Sequence, residues 1–283
     1  MHNYFEFLRP HPALREYVRL YHVFRLGIRG SESDAAVKSV WPSRYCWLAF
    51  NPMNNSFVDS PTSGLVRLEP RTALIGHSTR ITRKWYAGSD WFRFQVQLQP
   101  GALFRLTGIP NTALTDTEVD ADAVLPPGMR NVSERLAEAV SLDQMTSVVE
   151  SFLLRWIERG ARRRLPLDRA IDLMAHDPSI ISLDKAAAVA CLSARQFHRK
   201  FVERMGVGPK TYLRVVRLTR AFGCKARCPE QTWTDISQAA GYSDYQHMAK
   251  DFKLMTLHLP PQAFARECQS PEARFAFSSE RIW

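Results

Sequence analysis

The chain has 283 residues, of which 45% are hydrophobic and 23% charged, the profile of a soluble globular protein with room for two domains. A formal net charge of +10 and a pI near 9.6 suit an anionic partner such as nucleic acid or a membrane surface. No apolar run approaches the roughly 18 residues of a membrane-spanning helix, and the N-terminus MHNYFEFLRPHP lacks the layout of a secretion signal, so the expected setting is cytoplasmic.

Residues 1–125 are rich in aromatics and turn formers and read as a mainly β domain. The clearest strand candidates are residues 40–50, VWPSRYCWLAF, and 91–98, WFRFQVQL. In the second, Phe92, Phe94, Val96 and Leu98 alternate with polar residues, as in a half-buried strand. Asn51-Pro52, Ser63-Gly64 and Pro100-Gly101 punctuate the runs. Trp41, Tyr45, Trp47, Trp85, Tyr86, Trp91 and Phe92 could line a pocket for an apolar effector. Filling the core of a small barrel is the commoner use of such residues. His11, His22 and His77 form no short ligand motif, so neither a metal nor a cofactor is expected.

Pro126-Pro127-Gly128 is the linker candidate. From about Asn131 the period becomes helical, through Leu136, Val140, Val148, Phe152, Trp156 and Ile157, with Ser133 as the expected cap. Residues 126–164 are expected to be a helical linker or dimerisation region. The trio Arg162-Arg163-Arg164 reads as a solvated hinge rather than a phosphate clamp.

The third region, 165–283, carries the informative stretch, residues 182–266. Ser182 caps a short helix built on Leu183, Ala186, Ala187 and Ala190. After the turn Cys191-Leu192-Ser193, Ser193 caps a second helix that buries Phe197 and Phe201. Its opposite face carries Arg195, His198 and Arg199. Two short helices joined by a tight turn fit a helix-turn-helix reader of the DNA major groove.

The unit recurs about fifty residues later in TWTDISQAAGYSDYQHMAKDF. There Ile236 and Ala239 form the inner face, Gly241 the turn, and Met248 and Phe252 match Phe197 and Phe201. The outer face holds Tyr245, Gln246, Ala249 and Lys250. Between the units, a helix starting at Pro209 bears Arg214, Arg217 and Arg220. If it holds the readers rigidly, they enter successive major grooves roughly 34 Å apart.

The charge map agrees. Arg195, Arg199, Lys200, Arg204, Lys210, Arg214, Arg217, Arg220, Lys225 and Arg227 stand against Glu203 alone. Lys200, Lys210, Arg214, Arg217 and Arg220 are the expected phosphate contacts, which supply affinity without sequence choice. Choice falls to groups such as Arg199, which can pair with a guanine edge, and Gln246, which can pair with adenine.

The segment SLDKAAAVACLSARQFHRKFVERMGVGPKTYLRVVRL resembles the DNA-binding domain of the AraC/XylS regulators, and ISQAAGYSDYQHMAKDF resembles that family's second reader. The resemblance spans roughly residues 167–266. It implies that Arg195, His198 and Arg199 in the first reader, and Tyr245, Gln246, Ala249 and Lys250 in the second, face the bases. Three departures stand out: Cys191 replaces the usual Gly of the first turn, Ser237 an Ala, and residues 253–261 lack the Gly that follows the second reader. Trp41-Pro42, Leu74-Ile75-Gly76-His77 and QPGALFRLTGIPNTALTD (99–116) are similar to a sensor-type domain that precedes such readers, which implies a cupin-like β fold with an effector or partner role. The tail bearing Phe275, Phe277 and Trp283 lies outside the pattern.

The expected fold is therefore α+β, with a cupin-like β domain followed by an all-α domain of two helix-turn-helix units joined by a long helix. The expected function is sequence-specific transcription regulation on double-stranded promoter or operator DNA. A small-molecule effector, RNA polymerase and a second copy of the chain are candidate partners, and no membrane is expected. The alternative is a non-specific or architectural nucleic-acid binder.

An enzyme is not expected, and no catalytic residue is assigned. No Ser-His-Asp order, phosphate loop or paired-carboxylate motif stands out. DNA-repair alkyltransferases with such readers use an N-terminal zinc-held cysteine cluster, and only Cys46 lies in that part here. The five cysteines are odd in number and scattered, which argues against a disulfide framework. Cys224 and Cys228 form a C-x3-C pair without a second pair or a nearby His, and reduced thiols are expected.

Overall fold

The alternating segments of the N-terminal half form two antiparallel sheets in the computed structural model, which describes residues 4–27, 36–53, 56–59, 64, 66–86, 90–125, 127–176 and 182–270. One sheet has the order β1 (Tyr4–Leu8), β2 (Val18–Gly27), β9 (Asp90–Leu98), β4 (Trp47–Phe50), β7 (Thr72–Ile75) and β10 (Glu118–Asp120). The other runs β3 (Ala36–Val40), β8 (Thr82–Tyr86), β5 (Ser56–Asp59) and β6 (Val66–Leu68). The run 40–50 is two strands rather than one, because Pro42 has no N–H to give a ladder and the chain bends between Val40 and Trp47.

Strand β9 departs from the half-buried pattern. Phe92, Phe94, Val96 and Leu98 join the main core, but the alternate residues Arg93 and Gln97 are buried as well. With Gln95 they line a cavity between the sheets. The polar face of this strand points into the molecule.

Short helices α1 (Ala102–Thr107) and α2 (Ala121–Val124) precede α3 (Met129–Glu138) and α4 (Leu142–Glu158). Met129, Val132, Leu136, Val149, Phe152 and Trp156 share one core with Tyr21, Leu48 and Phe94 of the first sheet. The region expected as a linker is thus the backing layer of the β domain. Ser133 does not cap; it is buried inside α3, whose N-cap position is Gly128, while Ser141 caps α4 by accepting from the Gln144 N–H. Val140, just before that cap, is 92% exposed and takes no part in the core.

The C-terminal helices are α5 (Pro166–His176), α6 (Leu183–Val189), α7 (Ala194–Met205), α8 (Pro209–Arg227), α9 (Trp233–Ala239), α10 (Tyr245–Thr256) and α11 (Pro260–Cys268). Helix α8, about 28 Å long at 1.5 Å per residue, serves both units. Tyr212, Leu213 and Val216 pack with α5–α7, and Val215, Leu218, Ala221 and Phe222 with α9–α11. The inner face of α9 is Ile236, Ser237 and Ala240, whereas Ala239 is exposed. The buried Ser237 hydroxyl is satisfied within its own helix, donating to Thr234 O at 2.7 Å.

The segment 99–116 joins the two halves. A Cβ on Gly76 would lie 1.8 Å from Leu114 O, and one on Gly206 would lie 2.6 Å from Asn111 O. Both positions exclude any larger residue. The tail with Phe275, Phe277 and Trp283 lies outside the described residues, as do the side chains of Trp85 and Tyr86.

Candidate functional site

Each reader is set by side-chain caps at both of its helices. Ser182 accepts from the Lys185 N–H, and Ser193 closes a capping box with Gln196. In the second unit Thr232 closes a box with Asp235, and Asp244 accepts from the His247 N–H at 2.7 Å. These caps satisfy orphan amides and fix the angle at which α7 and α10 leave their turns.

On α7, Arg195, His198, Arg199 and Lys200 are exposed opposite Phe197 and Phe201. His198 Nε2 lies beside Gly208 at the start of α8. On α10, Gln246 and Lys250 are exposed, but Ala249 is buried at 7% and Tyr245 is half-buried against the second core. Ala249 therefore does not share the exposed face expected for it. His247, overlooked in the sequence, is exposed; its Nδ1 meets the Ser243 hydroxyl at 3.2 Å. The signal was its position three residues after the Asp244 cap. Lys253, also overlooked, is exposed and donates to Leu257 O at the end of α10.

The expected phosphate contacts divide. Lys200 and Lys210 are exposed. Arg214 instead reaches Asp251 Oδ1 with Nε at 2.8 Å and Nη2 at 2.7 Å. Arg217 lies 3.7 Å from Asp251 Oδ2 and 5.1 Å from the centre of the Tyr242 ring. Arg220 is half-buried and makes its own interaction. Asp251, itself buried, draws Arg214 and Arg217 together, and the pairing joins α8 to α10. Arg204 and Lys225, also part of the basic stretch, pair with Asp168 and with the carbonyls of Pro229 and Gln231 respectively. The trio is not wholly solvated, for Arg162 stacks over Phe104 at 5.1 Å.

The second site is a cavity of about 230 Å³ between the sheets, largely apolar in its walls. Trp41, Tyr45 and Trp47 line it as the sequence allowed, while Trp91 and Phe92 do not and fill the interior. Its wall includes Lys84, Arg93 and Glu118, which form a cluster of four buried charged residues with Glu69. Arg93 Nη1 meets Glu69 Oε1 at 2.6 Å, Lys84 bonds the same oxygen, and Glu118 Oε1 stands 3.9 Å from Lys84 Nζ and 4.0 Å from Arg93 Nη2. Burial opposes charge on Glu69, yet Arg93 and Lys84 outweigh it and hold that carboxyl below the usual range. Burial, assisted by neighbouring Glu69, pushes Glu118 up to about 7. Among the described residues, Arg93 Nη2 and Glu118 Oε1 have no hydrogen-bond partner.

Among the described residues no three His, Cys, Asp or Glu side chains gather as metal ligands, and no helix is long and apolar enough to cross a membrane. All five cysteines are free.

Residues 186–267 match the helix-turn-helix domain family. No curated protein matches the sequence significantly. Among solved structures, ToxT from Vibrio cholerae is similar with a TM-score of 0.51 and 10% identity, over 87% of this chain and 97% of that one. A ToxT structure with a bound unsaturated fatty acid gives 0.45 and 10%, over 86% and 94%. A regulator with an AraC-type DNA-binding domain from Chromobacterium violaceum is 26% identical over 37% of this chain and 93% of its own, with a TM-score of 0.33. The DNA-binding domain of AdpA, solved with a target DNA, is 19% identical over 40% and 98%, with a TM-score of 0.34.

Proposed function

We propose, from the premise that the C-terminal domain is an AraC-type double helix-turn-helix, that this transcription regulator reads an asymmetric duplex site with α7 and α10. The observation that carries this is the pair of capped units whose second helices both keep an exposed face, Arg195, His198 and Arg199 on one and Gln246 and Lys250 on the other. Lys200 and Lys210 are the proposed phosphate contacts. The proposed place of action is the cytoplasm, and a second copy of the chain and RNA polymerase complete the partner set.

The cavity is the proposed effector site. Its walls suit a small, largely apolar molecule. With Glu118 protonated, Lys84 and Arg93 outweigh Glu69 by one charge, which favours an acidic group on that molecule.

In vitro selection of duplexes by the full chain tests the reading. Arg199→Ala is expected to cost about 1–3 kcal/mol on the selected site and relax one base preference. Comparable affinity for random and selected duplexes would replace this reading with that of a non-specific binder.

A further inference from the structure

The two readers are tied to the N-terminal domain in different ways. The last turn of α7 rests on residues 111–115. Asn111 Nδ2 donates to Arg204 O at 2.8 Å, and the Thr115 hydroxyl donates to Gly206 O at 3.0 Å. Gly206 touches that segment too closely to admit a Cβ. The Arg204 guanidinium lies 4.7 Å from the centre of the Phe104 ring and 3.3 Å from Asp168. Asn111, Thr115 and Phe104 stand outside the cavity, and its wall reaches the first unit only at second hand: Asp116 and Thr117 follow Thr115 in the chain, and Arg44 donates to Ala175 O of α5 at 3.0 Å.

The second reader is held through the cavity wall itself. Trp41 and Ile81 of the β domain belong to the same core as Phe222, Met248 and Phe252. The buried Trp41 indole N–H donates to Glu267 Oε2 on α11 at 2.6 Å, and the Ile81 N–H donates to Met255 O in the last turn of α10 at 2.9 Å. Trp41, Thr219 of α8 and Glu267 line the cavity. The DNA-reading half thus supplies part of the wall, and it does so from the second core, since Thr219 sits between Leu218 and Ala221 of that core.

We propose that occupancy of the cavity acts chiefly on the second reader, with Trp41, Thr219 and Glu267 as the residues that transmit it, because no residue of α5–α7 lines the wall. This rests on the effector reading above. An occupant moves the second reader to the extent that it prefers one arrangement of the shared wall. Displacing the Trp41 ring breaks a buried, charge-assisted bond to α11 and removes a ring that packs 5.2 Å from Phe222. The bonds that hold the end of α7, from Asn111 and Thr115, do not involve that ring.

The test uses the full chain on a duplex selected by the wild type, read by quantitative footprinting. Arg199→Ala and Lys250→Ala assign the half-sites to the first and second readers. Val58→Phe, which adds volume to the cavity from β5, stands in for an occupant; Trp41→Phe removes the donor and keeps a ring; Glu267→Gln keeps an acceptor. Val58→Phe and Trp41→Phe are expected to shift protection of the second half-site about tenfold, with the first half-site nearly unchanged and Glu267→Gln closest to wild type. Hydrogen exchange should rise in α9–α11 and not in α6–α7. Should Val58→Phe fail to fold, Trp41→Phe carries the test. Equal shifts at both half-sites, or none with a folded variant, overturn the coupling and leave the regulator reading standing. Absence of any selected site for the wild type overturns the regulator reading itself.

Discussion

Cys191 and Leu257 hold backbone φ angles of 55° and 64°, a left-handed region that crowds the Cβ of an L residue. They are two of the positions where the sequence departs from the AraC/XylS pattern by lacking glycine, and the backbone shows what the glycine would do there. Each reader needs this conformation twice, once in its turn and once at the end of its second helix. The first unit meets it with Cys191 and Gly206, the second with Gly241 and Leu257. Cys191→Gly and Leu257→Gly are each expected to gain about 0.5–1 kcal/mol net, after glycine's greater unfolded-state entropy is subtracted. Urea unfolding checks this, and a midpoint that fails to rise in either variant counts against strain at that site. The departures were visible in the sequence; only the φ angles gave them a sign.

At the scale of elements, the long helix α8 is less a basic rail than a spine. The spacing of Arg214, Arg217 and Arg220 suggested a phosphate-facing row, and from the sequence Arg217→Ala would have been expected to flatten the salt dependence of DNA binding. The inward pairing with Asp251 predicts otherwise. Arg217→Ala should leave that slope unchanged and lower stability, whereas Lys210→Ala should reduce the slope by about one. Asp251→Ala should cost about 1–3 kcal/mol, because two partly buried arginines lose their carboxylate. Salt titrations of affinity and denaturant melts separate these outcomes. The sequence hid this because Asp251 and Arg214 lie on different helices, and no periodicity links them. The caps of the first unit, by contrast, were legible, since Ser182 and Ser193 act on amides only three residues away.

Across the whole molecule, the two halves meet over buried side chains. His77, in the β domain, sits edge-on to Tyr212 of α8 at 5.8 Å. Burial pushes its pKa down to about 4, against a milder opposing pull from Ser43 and Asp116. The folded state therefore keeps His77 neutral while the unfolded chain takes up a proton near pH 6.5. Stability from this residue is complete above about pH 6.5 and is lost as the pH falls toward 4. Melting temperatures of the wild type should fall over that range more steeply than those of His77→Gln. Parallel curves would show that His77 contributes nothing to the acid response. Glu118, whose carboxyl is raised, acts in the opposite direction near neutrality, so the difference between the two curves is the informative quantity.

The sequence by itself determined the two helix-turn-helix units, the caps of the first, their buried pairs Phe197/Phe201 and Met248/Phe252, and most of their exposed faces, because each rests on contacts between residues three or four apart in one helix. It also marked residues 99–116 and Leu74-Ile75-Gly76-His77 as a signature, without showing that they form the joint between the domains. What only the tertiary structure decided is where charge and aromatic surface end up. Arg93 and Gln97 alternate with apolar residues as on the solvated face of a strand and instead line the cavity between the sheets; Ala249 is expected on the outer face and is buried. Burial of a polar residue depends on a partner supplied from a distant segment, as Glu69 supplies one for Arg93, and a pattern read along a single strand or helix carries no record of that partner.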